Sequence, residues 1–496
     1  MSSPTPHLED DAIRQLREAL TAAAYTVDGV LELLGAQAYA ALARDETVPA
    51  LRATNGRSPR ETLTRLFILQ APVDFQAAKA ALPLDDAIAG GLVEPDASDV
   101  RALVDIRPYA ADDADWWVVS DLGTGIGGVS GPVLPDHVLG VGGASTTLAG
   151  ITVRPELDSA LDLGTGCGVQ ALHLSRHVAK VTASDRSSRA LAFADLTARL
   201  SGVELELVEG SLFEPVARRQ FDQIVSNPPF VVSPGHRFTY RDSGLPGDEV
   251  CRRIVGQAPD HLNDGGWCQL LANWLHVAGN DWRDRIAEWV VPTGCDAWVV
   301  QRDVQDPAEY AELWLRDSGD HRSEEYTRLY DTWLDEFAAN GVEGVGFGWI
   351  TLHKAGHTQP YVRIEEIRQP VDQPLGRHVH DWFRRHDWLR DVSDDDLLAA
   401  YLTADPAVSL DQHAVIGPAA WEVSSSRLRL DAGLHPTGEV DPVGTAVVAA
   451  CDGSRPLADV LAGVASAYEL DPADLHDGAV AAVRGLVEEG FLRPAR

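Results

Sequence analysis

The stretch Ser159–His177, SALDLGTGCGVQALHLSRH, decides how this sequence is read. SALDL is a short apolar run of strand type, and VQALHLSRHV carries apolar residues at helical spacing. Between them lie three glycines, Gly164, Gly166 and Gly168. A strand running through a glycine turn into a helix lets backbone approach a ligand, with the amides of the helix start facing it. The pentapeptide DLGTG occurs a second time, at Asp121–Gly125 within WWVVSDLGTGIGGVSGP. There IGGVSGPVLP follows, too rich in glycine and proline to begin a helix. Only the later copy has the context of a cofactor site. The earlier one reads as a glycine-rich loop after a hairpin, with packing over the pocket as its alternative.

Working outward, residues 155–355 alternate between strand and helix patterns. KVTASD, LELVEG, FDQIVSN, WCQLLANW, DAWVVQRD and VGFGWITLHK read as strands. SSRALAFADLTARL, DEVCRRIVGQAPDHL and WRDRIAEWV read as helices. That alternation implies an α/β domain with a doubly wound, mostly parallel sheet. The turn is GxGxG; a dinucleotide fingerprint would need glycine at Val169. About 20 residues on, the second strand ends in Asp185, placed to accept hydrogen bonds from a ribose diol. Its alternative is a helix cap for SSRALAF. The third strand ends at Glu209-Gly210-Ser211-Leu212-Phe213, where Ser211 and Leu212 are candidates for a flat base, or simple turn residues.

The fourth strand ends in Asn227-Pro228-Pro229-Phe230. Consecutive prolines fix an extended backbone and remove two amide donors. The Asn227 side-chain oxygen and the Pro228 carbonyl are then expected as free acceptors, suited to a planar –NH2 group. Phe230 is expected to stack on a flat base or amide.

DLGTGCG, ASD, EGSLFEP and VSNPPF, in this order and spacing, resemble the class I S-adenosylmethionine-dependent methyltransferases of the "methyltransferase small" type. That group includes glutamine methyltransferases of release factors and RNA guanine-N2 and adenine-N6 methyltransferases. The resemblance implies a Rossmann-like, seven-stranded core using S-adenosyl-L-methionine. It places Asp162, Gly164, Thr165, Gly166, Cys167 and Gly168 around the methionine part of the cofactor. Asp185 and Arg186 fall at the ribose, and Ser211 and Leu212 at the adenine. Asn227, Pro228, Pro229 and Phe230 form the implied catalytic set, with Asn227 also near the cofactor. Two departures stand out: many relatives have aspartate where Ser211 stands, and the glutamine enzymes have tyrosine where Phe230 stands. The second favours a nucleobase amino group in RNA or DNA, with a protein glutamine or small amine as alternative. A methyltransferase fold kept only as a binding module is a third reading, and intact glycine and NPPF motifs argue against it.

The flanks are read more coarsely. Residues 1–122 are expected as a helical, winged-helix-like domain. EDDAIRQLREALTAA and GVLELLGAQAYAALARD read as helices, SPRETLTRLFIL opens with a capping signal, and VRALVDIRPYA and DWWVVSDL form a hairpin. Residues 123–154 read as a glycine-rich connector, in which Ser145, Thr146 and Thr147 are candidates to touch cofactor or substrate. The methyltransferase domain is bounded at 155–356, and 372–496 reads as a small, mainly helical, winged-helix-like domain. HVHDWFRRHDW, His378–Trp388, reads as an amphipathic helix whose Arg384, Arg385 and Arg390 could form a basic patch for RNA.

The 496 residues are 45% hydrophobic and 23% charged, with a net charge of −34. A surface this acidic repels phosphate backbones unless a local basic patch overrides it. The five cysteines are scattered without a CxxC pair, so neither a disulfide framework nor a metal site is expected. No apolar run is long enough for a membrane span, and the N-terminus lacks signal-peptide character, so a cytoplasmic location is expected.

Overall fold

The computed structural model describes residues 5–123, 135–234, 242, 245–318 and 320–495. Its centre is one sheet of eight strands. They are β1 (Leu157–Leu163), β2 (Val178–Asp185), β3 (Glu206–Glu209), β4 (Phe221–Ser226), β5 (Leu262–Val277), β6 (Asp296–Gln305), β7 (Val342–His353) and β8 (Val362–Glu366). The spatial order is β8-β6-β7-β5-β4-β1-β2-β3. Pairs from β3 through β5 are parallel, and β7 runs antiparallel between β5 and β6. This is the α/β class expected, with helices on a largely parallel sheet. β1 pairs with β2 on one side and β4 on the other, so the chain switches direction there. The connections leaving β1 and β4 therefore diverge, which leaves a crevice beyond their carboxyl ends.

The sheet adds an edge strand to the seven expected, because VRIEE pairs in parallel with β6 and packs Val362 and Ile364 on the core. That strand lies past the boundary drawn at residue 356. Its five residues sit between Pro360 and Pro370, which made them read as linker.

Residues 1–149 and 155–366 form one compact unit. The N-terminal helices Asp10–Ala22 and Val27–Leu42 pack with a three-stranded sheet (Val73–Asp74, Asp99–Ala102, Val93–Asp96). The capping box before Pro59–Leu63 is formed: Glu61 N donates to Ser58 Oγ at 3.3 Å and Ser58 N to Glu61 Oε2 at 3.1 Å. The hairpin Val104–Ala111/Ala114–Asp121 follows in the register its alternation dictates. Leu16, Leu20, Phe67, Ile106 and Val119 share a single buried cluster with Phe193, Leu196 and Leu200 from the helix Ser188–Ser201. Val119 N donates to Thr197 Oγ1 at 3.0 Å, and Trp117 Nε1 to the Tyr25 carbonyl at 2.7 Å. The hairpin is thus seated on a helix of the α/β layer. Within the stretch read as a connector, Gly143–Ile151 is a helix. Its small residues, GASTTLAGI, lack the apolar spacing that signals one.

Residues 150–154 and 367–496 form a second unit. The helix Gly376–Asp391 buries Val379, Trp382, Phe383 and His386. The final strand Leu492–Pro494 pairs with Tyr401–Ala404, which also pairs with Asp452–Pro456. A long hairpin, Val408–Ile416/Trp421–Leu430, was not anticipated among the helical patterns. Among the described residues no single helix is long and apolar enough to cross a membrane.

Candidate active site

At the carboxyl end of β1 the chain turns through three left-handed glycines, with φ of +78° at Gly164, +56° at Gly166 and +89° at Gly168. Their roles differ. A Cβ on Gly164 or Gly166 would meet nothing within 4 Å, so both present bare backbone to open space. A Cβ on Gly168 would lie 3.3 Å from Ala194 Cα, so this glycine lets two helices approach. Gly164 N and Thr165 N each donate to the Ser184 carbonyl at 2.9 Å, fixing the turn against β2.

Asp162 lies behind this turn. It is 1% exposed and does not line the crevice, which corrects its expected place at the ligand. One carboxylate oxygen accepts from Thr165 Oγ1 at 2.6 Å and Ala171 N at 3.0 Å, joining strand, turn and helix. The other oxygen is buried without a hydrogen bond. Burial pushes its pKa up to about 7, while the Thr165 and Ala171 bonds pull the other way. Burial also raises Asp185. Its two oxygens accept from Gly166 N at 3.0 Å and Ser187 N at 2.9 Å. The helix cap is Ser187, whose Oγ accepts from Ala190 N at 3.2 Å, so capping does not occupy Asp185. Asp185 lines the cavity, where a carboxylate can accept from a diol.

These groups wall a cavity of about 340 Å3, within the size range of small-molecule sites. Gly164, Thr165, Gly166, Cys167, Asp185 and Arg186 line it, as do Ser211, Leu212, Asn227, Pro228 and Pro229. Leu212 is held at φ +47°, a costly conformation for a residue with a side chain. Ser226 Oγ donates to the Leu163 carbonyl at 2.7 Å and locks the ends of β4 and β1 together beneath Asn227. Gly168 does not line the cavity.

Phe230 is also absent from the cavity wall. Its ring packs against two apolar clusters, and its backbone bridges to Asp242. Its N–H donates to the Pro228 carbonyl at 2.7 Å, so that carbonyl is not wholly free and retains one acceptor direction. Both points correct the sequence reading. Tyr310, which the sequence did not flag, holds the chain beyond the motif. Val232 N donates to its hydroxyl at 3.0 Å, and Asn273 Nδ2 donates to the same oxygen at 2.9 Å.

A second wall comes from the stretch read as a connector, for which packing over the pocket was the alternative reading. Asp136, His137, Val138, Leu139 and Gly140 line the cavity, and so does Ser145. They are held by Asp121, the first residue of the earlier DLGTG. Its carboxylate takes Arg189 at 2.5 and 2.6 Å and Val138 N at 2.7 Å. Arg189 also donates to the Asp136 carbonyl at 3.0 Å. Burial lowers the pKa of His137, with Asp121 opposing. The earlier copy therefore supplies a clamp for the wall, while its Thr124 and Gly125 lie outside the described residues. Of the three polar candidates in the Gly143–Ile151 helix, Ser145 lines the cavity, and its carbonyl accepts from Gln170 Nε2 at 2.8 Å. Thr146 instead bonds back to Gly143 at 3.0 Å.

Comparison with known proteins places this geometry. Residues 143–278 match the methyltransferase small domain. Residues 22–103 and 380–494 match two domains of unknown function, DUF7059 and DUF7782. A release factor glutamine methyltransferase of Geobacter sulfurreducens is 38% identical over 129 residues, covering 23% of this chain and 45% of the relative. A ribosomal RNA small subunit methyltransferase C of Alcanivorax borkumensis is 32% identical, covering 23% and 31%. A ribosomal protein uL3 glutamine methyltransferase of Bradyrhizobium diazoefficiens is 33% identical, covering 27% and 46%. The chain spans less than half the length of each of these relatives. Over residues 143–278 this chain is therefore similar to the methyltransferase small family.

Proposed function

We propose that this protein binds S-adenosyl-L-methionine in the 340 Å3 cavity and methylates a planar nitrogen of a macromolecular substrate. The acceptor we favour is the exocyclic amino group of a nucleobase in RNA or DNA. One observation carries the reading: the Asn-Pro-Pro wall, the glycine turn and Asp185 open into one cavity. The residues fit the cofactor. Bare backbone at Gly164 and Gly166 gives a charged chain close approach, Asp185 offers acceptors to a ribose, and Leu212 offers an apolar face to adenine. When bound, the cofactor supplies an electrophilic methyl group.

The chain's own residues deal with a weak nucleophile, since the lone pair of an aryl amine or amide is delocalised. Pro228 and Pro229 offer no N–H, so the wall presents acceptors to an –NH2 group. The Asn227 oxygen and the remaining acceptor direction of Pro228 orient both hydrogens. These bonds strengthen as positive charge develops on nitrogen, so they stabilise the transition state more than the ground state. Orientation supplies further rate, and no strong general base is needed.

The nucleobase preference rests on Phe230 as a sequence resemblance, since its ring is not placed to stack in the cavity. The second reading, a protein glutamine, is favoured by the −34 charge and by two of the relatives named above. The test uses tritium-labelled S-adenosylmethionine with RNA and with protein fractions, and calorimetry of cofactor binding. Asn227→Ala should lower turnover by about 10²–10³ while cofactor affinity changes little. Label in RNA supports the first acceptor, and label in protein the second. Near-normal turnover in Asn227→Ala would remove the assigned mechanism.

A further inference from the structure

The second unit contains a cleft of about 660 Å3 that the methyl-transfer site does not use. One wall is a single face of the helix Gly376–Asp391. Arg377, Asp381, Arg384, Arg385 and Trp388 recur at spacings of four, three, one and three residues, which a helix places on one stripe. The opposite stripe, Val379, Trp382, Phe383 and His386, is buried. An arginine stripe of this kind ordinarily faces open solvent. Here a second wall stands against it, built from Thr403, Asp405 and Arg493 at the paired strands Tyr401–Ala404 and Leu492–Pro494.

Four arginines and two aspartates leave this cleft net positive in a chain of charge −34. The two acids only loosely satisfy their neighbours: Arg377 Nε lies 3.6 Å from Asp381, and Arg493 lies 3.5 Å from Asp405. Among the described residues, Arg384 forms no ion pair. Guanidinium groups match phosphate oxygens with two parallel hydrogen bonds, and an indole is a platform for a base. Arginines beside a half-buried tryptophan in one cleft are what single-strand binding uses.

We propose that this cleft binds a segment of single-stranded nucleic acid, with phosphates on Arg377, Arg384 and Arg493 and a base against Trp388. Asp381 and Asp405 hold the empty arginines apart and yield to phosphate. The inference does not depend on which nitrogen is methylated, because its test reads strand binding and not turnover.

The experiment is fluorescence anisotropy of labelled dodecauridylate with the full chain, between about 50 and 200 mM salt. The expected result is binding whose logarithm falls with the logarithm of salt, at a slope of about −0.7 for each phosphate held. Arg384→Ala with Arg493→Ala changes exposed side chains. It should weaken binding about tenfold or more and lessen the slope by about 1–2, with cofactor binding and melting temperature unchanged. Trp388→Leu should weaken binding without changing the slope. The proposal is overturned by no binding of the oligonucleotide, with or without capture by phosphatidylglycerol vesicles, or by unchanged binding and slope in the double variant. Displacement of the oligonucleotide by inorganic phosphate at the same total charge would also overturn it, because a simple anion site would then suffice.

Discussion

At the scale of single residues, the two acidic positions of the core motif have opposite duties. Both lie at the carboxyl end of a strand, in DLG and ASD, and both were read as facing a ligand. Asp185 lines the cavity, whereas Asp162 is sealed behind the turn with one unbonded oxygen. Residue type was legible, but which side of the turn each carboxylate occupies depends on the packing of Ala171 and Thr165. The buried position has a pH signature. The folded pKa of Asp162 stands near 7, against an ordinary value of 3.8. The folded state therefore binds its proton more tightly than the unfolded chain. The stability this contributes is full below about pH 4 and is lost as pH rises through about 7, at most about 4 kcal/mol. Asp105, raised by burial to about 6, acts in the same direction. Asp162→Asn keeps the side-chain shape and removes the titration, leaving Asp105 as a common background. Thermal melts across this window should show the parent losing several degrees more than the variant as pH rises. Parallel curves would mean that Asp162 is ionised without strain.

At the scale of elements, the alternation of strands and helices was legible because each has its own apolar period. What escaped were elements without a period, such as the small-residue helix Gly143–Ile151 and the five-residue β8. Pairings far apart in sequence escaped as well. The two DLGTG copies show why. The later copy is read from its own flanks, since a strand precedes it and a helix follows. The earlier copy has a role through Val138 and through Arg189, 68 residues on. The hairpin end at Asp121 and the start of the Ser188–Ser201 helix meet around a buried ion pair, with side chains 12% and 8% exposed. That pair fixes residues 136–138 as a cavity wall. Removing Asp121 leaves the Arg189 guanidinium buried without its carboxylate, which costs about 3–5 kcal/mol. The wall also loses its anchor at Val138. Asp121→Ala should therefore lower the melting temperature and weaken S-adenosylmethionine binding. Asp121→Asn, which retains an acceptor for Val138, should recover part of the binding but little of the stability. Calorimetry on the two variants separates these effects. Cofactor affinity unchanged in Asp121→Ala would show that the wall holds itself in place.

At the scale of the molecule, composition and charge spoke to class but not to how the N-terminal region relates to the sheet. The boundary near residue 122 followed a change of pattern, from helices and a hairpin to glycine-rich chain. Packing does not follow that change. Phe193, Leu196 and Leu200 of the α/β layer are at most 2% exposed, within the N-terminal cluster. The sequence marks them as apolar and helical but not as facing a segment that precedes them by a hundred residues. A chain beginning at Gly140 would leave these three side chains in water. Each forfeits about 1.5–3 kcal/mol of burial, a sum comparable to the whole stability of a domain. It would also strip Arg189 of Asp121 and the Thr197 hydroxyl of its Val119 partner. The expected result is a chain that elutes as aggregate or gives an unfolded far-ultraviolet spectrum, with no cofactor binding. A truncated chain that is monomeric, folded and of parental affinity would show that the α/β layer buries this face in some other way. The N-terminal region would then be an appendage rather than part of the same core.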